Sequence, residues 1–114
     1  MRNKIEFPWP PKECSPNNYS HWRRKAEAKK KLKMYYFFAA KEARPCIDRG
    51  CNLPLEITFH PPSKRRGDLD NQLASIKAGI DGLAAALYMD DRDFYPIKLL
   101  RGEPVKGGKV IMCF

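Results

Sequence analysis

The sequence contains no long apolar run and no apolar segment near its first residue. None of its stretches approaches the roughly 18 consecutive apolar residues that cross a bilayer, so we expect no membrane partner. The opening residues, Met-Arg-Asn-Lys-Ile, differ from the apolar core of a secretory signal, which predicts a cytoplasmic protein. In the cytoplasm its four cysteines stay reduced unless they bind a metal ion.

Motifs of several common sites are also missing. No Cys-x-x-Cys pair occurs, and the irregular spacing of the cysteines disfavours a zinc site. There is no Ser-His-Asp arrangement and no glycine-rich phosphate loop, because Gly107 and Gly108 are better explained by a tight turn between strands. We therefore expect no small-molecule substrate.

Positive charge is what the sequence has in excess. Its 114 residues hold 22 Lys and Arg against 13 Asp and Glu, a formal net charge of +9 at pH 7. Such a surplus indicates a polyanionic partner, most often a nucleic acid. The acids are concentrated between residues 68 and 93, where six acids stand against two bases. A plain DNA-binding module gains nothing from an acidic segment inside a basic surface, whereas a metal-dependent nuclease needs one.

Hydrophobic periodicity predicts the element order β-α-β-α-β-β in one domain spanning residues 1–114. The stretch from residue 21 to about 43 lacks Gly and Pro until Pro45, which predicts a long helix with Ser20 as its N-cap. Apolar residues recur every three or four positions over 69–87, which predicts a second long helix. Alternating patterns predict strands near 5–9, 53–60, 94–100 and 109–114.

These elements predict an α+β fold of two layers, with both long helices on one face of a small mixed sheet. Pro8 suggests that the first strand lies at an edge of the sheet. A sheet of about four strands leaves open edges and a bare face, so we expect a homodimer.

Two pairs of acids flank the second predicted helix. Asp68 occupies its N-cap position, so helix capping alone would explain this residue. Asp70 lies in its first turn, where a negative charge interacts favourably with the helix dipole. Asp90 and Asp91 follow the helix and suit an ordinary turn. Together, in basic surroundings, the four carboxylates favour a divalent-cation site, because Mg²⁺ prefers oxygen ligands. The predicted metal ligands are Asp68, Asp70, Asp90 and Asp91.

Hydrolysis of a phosphodiester explains why these residue types occur together. A bound Mg²⁺ generates hydroxide and neutralises charge on the leaving oxygen. On a continuous helix Lys77 shares a face with Asp70 and Asp81, where its ammonium group would stabilise charge on the phosphate. The alternative is a surface pair between Lys77 and Asp81. The predicted catalytic residues are Asp68, Asp70, Asp91 and Lys77.

The bases predicted to hold DNA fall into two segments. Residues 23–33 contain seven bases and one acid, and residues 64–66 directly precede the first pair of acids. Such side chains suit the binding of backbone phosphates, although a solvated helix face is the alternative for the first segment. The predicted DNA-binding residues are Arg23, Arg24, Lys29, Lys30, Lys64, Arg65 and Arg66.

Several motifs occur in the order in which one protein family carries them. On these motifs the chain, from about residue 5 to 112, resembles the RusA family of Holliday junction resolvases. The combination of Asp-Leu-Asp-Asn with Asp-Asp is the specific part of the resemblance. The motifs are Phe-Pro-Trp-Pro-Pro at 7–11, Arg-Arg-Gly-Asp-Leu-Asp-Asn at 65–71, Lys77 with Asp81, Asp-Asp at 90–91, and Pro-Val-Lys-Gly-Gly-Lys at 104–109.

The resemblance implies a small homodimer, common in phages and prophages, that binds four-way DNA junctions. It nicks two strands symmetrically with Mg²⁺ or Mn²⁺, in the cytoplasm of a bacterial or phage-infected cell, during DNA recombination and repair. Asp68 and Asp70 match the two acids of the family's motif, and Asp91 matches its third metal-binding acid. Lys77 is the best match to the catalytic lysine, but it lies seven residues after Asp70 whereas the family pattern has four. An inserted helical turn would account for the difference.

A single straight helix cannot bring the two pairs of acids together. A helix over 69–87 is about 27 Å long, so carboxylates at its two ends cannot share one metal ion. Either the helix breaks near Gly79 or Gly82, or the pairs meet across a dimer interface, which we favour. Two other functions stay open: a basic DNA- or RNA-binding module without catalysis, and a metal-dependent nuclease that cuts flaps or single strands without junction selectivity.

Overall fold

A computed structural model describes residues 3–47, 52–64 and 67–114 of the chain. These residues form the predicted α+β fold, with one four-stranded sheet and three α-helices. The elements are β1 (Lys4–Pro8), α1 (Trp22–Ala43), β2 (Leu53–His60), α2 (Leu69–Ser75), α3 (Lys77–Ala86), β3 (Phe94–Arg101) and β4 (Lys109–Cys113).

The sheet is mixed and has the strand order β1-β4-β2-β3. β4 lies antiparallel to both β1 and β2, while β3 runs parallel to β2. β1 is an edge strand, as Pro8 predicts. β3 forms the other edge, where Tyr95 and Ile97 are exposed.

One face of the sheet is buried, and this face carries the core. Alternate residues of the inner strands, including Ile57 and Met112, are inaccessible to solvent. α1 and α3 pack together over this face, which confirms the two-layer arrangement. Tyr36 of α1 stacks on Phe7 with a centroid separation of 4.4 Å and donates a 2.8 Å hydrogen bond to the carbonyl of Pro8. Burial raises the pKa of the Tyr36 hydroxyl, so this donor stays protonated at every working pH.

The first helix differs from the prediction at its start and along its second half. Its N-cap is His21, whose Nδ1 accepts a hydrogen bond from the backbone N–H of Arg23, so the prediction of Ser20 as N-cap is wrong. The almost wholly apolar or aromatic stretch 34–40 predicts a buried half-helix, but only one stripe of the helix faces the sheet and the stretch is buried only there. Leu32, Tyr36 and Ala40 are buried, whereas Met34, Tyr35 and Phe38 are exposed.

The second predicted helix is two helices that meet at Ile76. Its backbone angles, φ −105° and ψ 9°, leave the helical region and end α2 one residue before α3 begins. The break does not fall at Gly79 or Gly82, because both glycines are used for close packing of α3 on α1. A Cβ at Gly79 would lie 2.4 Å from Cδ2 of Tyr36, and one at Gly82 would lie 2.3 Å from the carbonyl oxygen of Lys33.

None of the helices in the described ranges is long and apolar enough to span a bilayer.

Candidate active site

Asp68 and Asp70 lie at the start of α2, soon after the carboxyl end of β2. Asp68 occupies the N-cap position, but its side chain makes no capping hydrogen bond. Among the described residues, its Oδ2 accepts a long bond of 3.5 Å from Nδ2 of Asn71. Both carboxylates are exposed. Helix capping therefore does not explain the acid at position 68, and its carboxylate oxygens are available to a ligand.

Asp90 lies before a short 3₁₀ turn (Asp91–Asp93) that leads into β3. Its Oδ1 accepts a 3.1 Å hydrogen bond from the backbone N–H of Arg92, and its Oδ2 lies 3.4 Å from Nε of the same residue. This backbone hydrogen bond is the main cause that lowers the pKa of Asp90. The interpretation of Asp90 as a turn residue is thus confirmed, and its role as a metal ligand stays a prediction.

Asp91 faces two other carboxyl groups. The carboxyl groups of Asp90, beside it, and of Asp81 on α3 lie close enough to change its pKa. The pKa of Asp91 is raised mainly by the carboxyl group of Asp90, then by loss of water contact and by Asp81. Carboxylates held this close repel one another when ionised, and a divalent cation among them would remove the repulsion.

The described carboxylates of one chain nevertheless do not complete a metal site. In the part of the chain that the structure describes, no group of three or more His, Cys, Asp or Glu side chains could hold a metal ion. Carboxylate oxygens are the type of ligand that Mg²⁺ and Mn²⁺ prefer, but the described residues of a single protomer do not bring enough of them together.

The two pairs of acids lie toward opposite ends of β2. Asp91 precedes Phe94, which pairs with Leu53 at the start of β2. Asp68 lines a cavity together with Phe59, near the end of the same strand. Because β2 has eight residues, it spans roughly 23 Å. The helix break at position 76 therefore does not bring the pairs together within one chain.

Lys77 is the exposed first residue of α3. The break at Ile76 interrupts the helical face that the sequence predicted for Asp70 and Lys77. Among the described residues, Lys77 forms no ion pair with Asp70 or with Asp81, so the surface pair predicted as an alternative is absent. The break immediately precedes the lysine. It therefore lies between Asp70 and Lys77, the two residues whose spacing differs from the family pattern.

The predicted DNA-binding side chains that the structure describes are all on the surface. The guanidinium of Arg23 lies over the ring of Trp22, 5.3 Å from its centroid, and Trp22 is itself 67% exposed. Arg65 and Arg66 lie outside the described residues. The exposed bases are Arg23, Arg24, Lys29, Lys30 and Lys64.

Two residues near the acids were missed by the sequence analysis. Trp9 and Gln72 line a cavity of about 320 Å³ that Asp68 also lines. The proline-rich motif pointed to the surroundings of Trp9, but only as part of a resemblance. Nothing in the sequence pattern distinguishes Gln72, since its place beside the cavity depends on how segments distant in sequence pack together.

Comparison with known proteins places these features in a family, although no protein-family model matches the chain. An uncharacterised protein of Xylella fastidiosa (strain Temecula1) is 38% identical over 114 residues, which cover 95% of this chain and 72% of that protein. The crossover junction endodeoxyribonucleases RusA of Escherichia coli (strain K12) and of Enterobacteria phage 82 are each 30% identical over 110 residues, or 93% of this chain and 88% of theirs. The chain belongs to the RusA family.

Proposed function

We propose that this protein is a Mg²⁺-dependent endonuclease that resolves four-way DNA junctions as a homodimer, by paired symmetric nicks, in recombination and repair. The observation that carries the proposal is the similarity to crossover junction endodeoxyribonucleases over 93% of the chain. The carboxylate of Asp68 is exposed and makes no capping hydrogen bond, and other carboxyl groups lie close to Asp91. Both observations support a cation site. The exposed bases along α1 support a polyanionic partner.

The metal site of this proposal needs two copies of the chain. Asp68 and Asp70 at one end of β2 supply one part of the ligand set, and Asp91 at the other end supplies the rest. When bound between them, Mg²⁺ or Mn²⁺ supplies an activated water and neutralises charge on the leaving oxygen. Asp90 holds the turn that orients Asp91, through its bond to Arg92.

A two-fold axis through the middle of β3 would bring the two parts of the ligand set together, one part from each protomer. Such an axis reverses the direction of β3 in the second copy, so that its start in one protomer faces its end in the other. Asp91 would then approach the partner's Asp68 and the partner's Asp70. The edge position of β3 and the exposed side chains of Tyr95 and Ile97 support an interface here. Two identical sites result, which suits paired cuts.

The remaining residues bind and position the DNA. Lys29 and Lys30 on α1, with Lys64 before α2, would bind backbone phosphates. Lys77 would direct its ammonium group at the phosphate under attack and stabilise the negative charge that develops on it. No other side chain of the described ranges pairs with this lysine, so its charge stays available to a phosphate.

Labelled DNA of several shapes, incubated with Mg²⁺ or with EDTA, tests the proposal. We expect paired nicks in four-way junctions with Mg²⁺ and no cleavage with EDTA. Asp70→Asn should abolish cleavage and leave junction binding intact or tighter, because it removes a negative charge near the DNA. Binding without cleavage by the unsubstituted protein would favour a non-catalytic module. Equal cleavage of flaps, single strands and junctions would favour a nuclease without junction selectivity.

A further inference from the structure

Two large aromatic side chains are exposed to solvent at the start of α1. Tyr19, in the loop that precedes the helix, is 98% exposed, and Trp22, the first residue of the helix, is 67% exposed. Single apolar side chains on a surface need no explanation, but these two rings lie three positions apart, with the exposed imidazole of His21 between them in the sequence. We call Tyr19, His21 and Trp22 the aromatic surface of α1.

The ring of Trp22 is held by its neighbours without being covered. The imidazole of His21 stacks on it, with ring centroids 5.6 Å apart and planes at 30°, and the guanidinium of Arg23 also lies over it. The imidazole is held in turn, because its Nδ1 accepts a hydrogen bond of 3.2 Å from the backbone N–H of Arg23. Most of the Trp22 side chain nevertheless stays accessible. An indole whose orientation is already restricted loses less conformational entropy when a flat ligand stacks on it.

Three bases, Arg23, Arg24 and Lys25, directly follow the aromatic surface, and the first turn of α1 contains no acid. Helix stability does not explain this composition, because positive charges at a helix N-terminus interact unfavourably with the helix dipole. Lys25 donates a 2.8 Å hydrogen bond to the carbonyl of Asn18 and so ties the loop to the helix. Arg23 and Arg24 are exposed and attract an anion. Aromatic rings next to bases are typical of surfaces that bind unpaired nucleic-acid strands.

The loop between β1 and α1 places the aromatic surface near the first pair of acids. Asn17 in this loop lines the cavity that Asp68 also lines. Tyr19 follows Asn17 by two residues, so their Cα atoms are at most about 7 Å apart. The backbone N–H of Ser20 donates a 2.9 Å hydrogen bond to Oδ1 of Asn18, which fixes the turn from the loop into the helix. A strand whose phosphate lies at Asp68 would thus have neighbouring nucleotides within reach of the rings.

We propose that the rings of Tyr19 and Trp22 stack on unpaired bases of the bound DNA. Arg23 and Arg24 bind the phosphates that adjoin those bases. The proposal rests on the DNA binding of the proposed function, and it holds whether or not the DNA is cut. Every nucleobase has a face on which an aromatic ring stacks, so the contact does not select a sequence. Bases that are already unpaired need not be removed from a duplex, so the surface favours DNA with unpaired bases near the cut over a continuous duplex.

Binding to two single strands in EDTA tests the proposal. The first is an oligothymidine of about twelve nucleotides, and the second is an abasic strand of the same length. We expect the unsubstituted protein to bind the abasic strand at least about tenfold more weakly. Trp22→Ala should bind the oligothymidine about five- to tenfold more weakly than the unsubstituted protein does, with little change for the abasic strand. Trp22→Phe keeps a ring and should recover most of the lost affinity. Adding Tyr19→Ala to Trp22→Ala should remove most of the remaining difference between the strands.

The matched control is Phe38→Ala, which removes an exposed ring about 24 Å further along the same helix. It should bind both strands as the unsubstituted protein does. Equal losses on both strands with Trp22→Ala would overturn the proposal, because phosphate contacts, or a protein interface formed by the rings, do not depend on the bases. A double variant that still prefers the oligothymidine as strongly as the unsubstituted protein would show that the bases bind elsewhere.

This binding measurement and the cleavage assay of the proposed function fail independently of each other. Equal affinity of the unsubstituted protein for the two strands rejects the aromatic surface as a base-binding site, even if four-way junctions are cut with Mg²⁺. Absence of cleavage with Mg²⁺ rejects the nuclease function, even if the preference for the oligothymidine is found and depends on Trp22.

Discussion

The carboxyl group of Asp81 on α3 lies close enough to that of Asp91, ten positions later in the chain, to raise the pKa of Asp91. Asp90, directly before Asp91, raises this pKa more strongly. An acid whose pKa is higher in the folded state binds more protons there than in the unfolded state, so the free energy of unfolding falls as pH rises through the carboxyl range. The same contact between Asp90 and Asp91 lowers the pKa of Asp90, so the cost to stability near pH 7 comes from Asp81 and from the loss of water contact, and a bound cation would remove it.

Replacing Asp91 with asparagine should therefore separate stability from activity. We expect Asp91→Asn to melt slightly above the unsubstituted protein at pH 7, with the difference vanishing near about pH 3, where carboxyl groups are protonated. The gain is small because all three acids are exposed. Cleavage should be lost. Thermal melts at both pH values and a junction-cleavage assay check this, and a variant that melts well below the unsubstituted protein at pH 7 would contradict it.

Metal binding should appear in the same melts. Mg²⁺ should raise the melting temperature of the unsubstituted protein, because an ion that binds only the folded state stabilises it. Asp91→Asn should lose most of this increase. Asp93→Asn, a neighbouring acid that we do not assign to the site, is the matched control and should keep it. Equal increases in all three proteins would mean that Mg²⁺ acts on general surface charge.

Gly82 is expected to be essential for the packing of α3 on α1. Because a Cβ there would lie 2.3 Å from a backbone oxygen, which cannot move aside as a side chain can, Gly82→Ala should lower the free energy of unfolding by about 1 to 3 kcal/mol. The control is Ala85→Gly on the exposed side of the same helix, which should cost only about 1 kcal/mol through helix propensity. Chemical denaturation measures both. A Gly82→Ala variant more stable than the unsubstituted protein would show that α3 does not approach α1 so closely.

This glycine also shows where sequence patterns stop being informative. Local propensity marks Gly79 and Gly82 as weak points of a helix, and only the neighbouring helix reveals why they are there. Likewise, apolar spacing continues unbroken across Ile76, so periodicity could not predict that the helix breaks at this residue. The strand at 53–60 was predicted correctly, because alternation is a local property that burial on one face preserves.

The candidate site also has one part that the sequence predicts and another that only the fold reveals. The motif spacing identified which acids to consider, since Asp68 and Asp70, like Asp90 and Asp91, are close along the chain. How far apart the two pairs lie depends on the sheet. Because β2 and β3 run parallel, the acids before β3 lie beside the start of β2, whereas the acids of α2 follow its end. The environment of Gln72 is assembled from segments distant in sequence, so only the fold reveals its place beside the cavity.

The basic face of α1 should contribute affinity that depends strongly on salt. The double variant Lys29→Gln with Lys30→Gln should bind junctions more weakly and should reduce the slope of log affinity against log salt by about one to two. The loss should be similar for junctions of different sequence, because phosphate contacts carry no sequence information. A titration series in increasing salt measures the slope.

The control for this charge change removes two exposed lysines elsewhere. Lys4→Gln with Lys106→Gln lowers the net charge equally, on β1 and on the turn before β4. If this pair reduces the slope as much as the α1 pair does, the interaction is with net charge and α1 is not a binding face.

Mixing two inactive variants should restore nicking if the metal site is shared between protomers. In a heterodimer of Asp70→Asn and Asp91→Asn, one site would carry both substitutions and the other would carry neither. Random exchange of subunits makes about half of the dimers mixed, so about a quarter of the sites would be intact. We expect nicks in one strand at roughly that fraction of the unsubstituted rate, without paired cuts in the same junction. Each variant alone should be inactive.

The control mixes variants on the same side of the proposed interface. Asp68→Asn with Asp70→Asn leaves one substitution in each site of the heterodimer, so no activity should return. If the Asp70→Asn and Asp91→Asn mixture also stays inactive, after subunit exchange has been verified with differently tagged chains, the acids act within one chain. The separation of the two pairs along β2 would then have to be closed by a rearrangement on DNA binding. Recovery in the first mixture alone, by contrast, follows only from a site built by two copies.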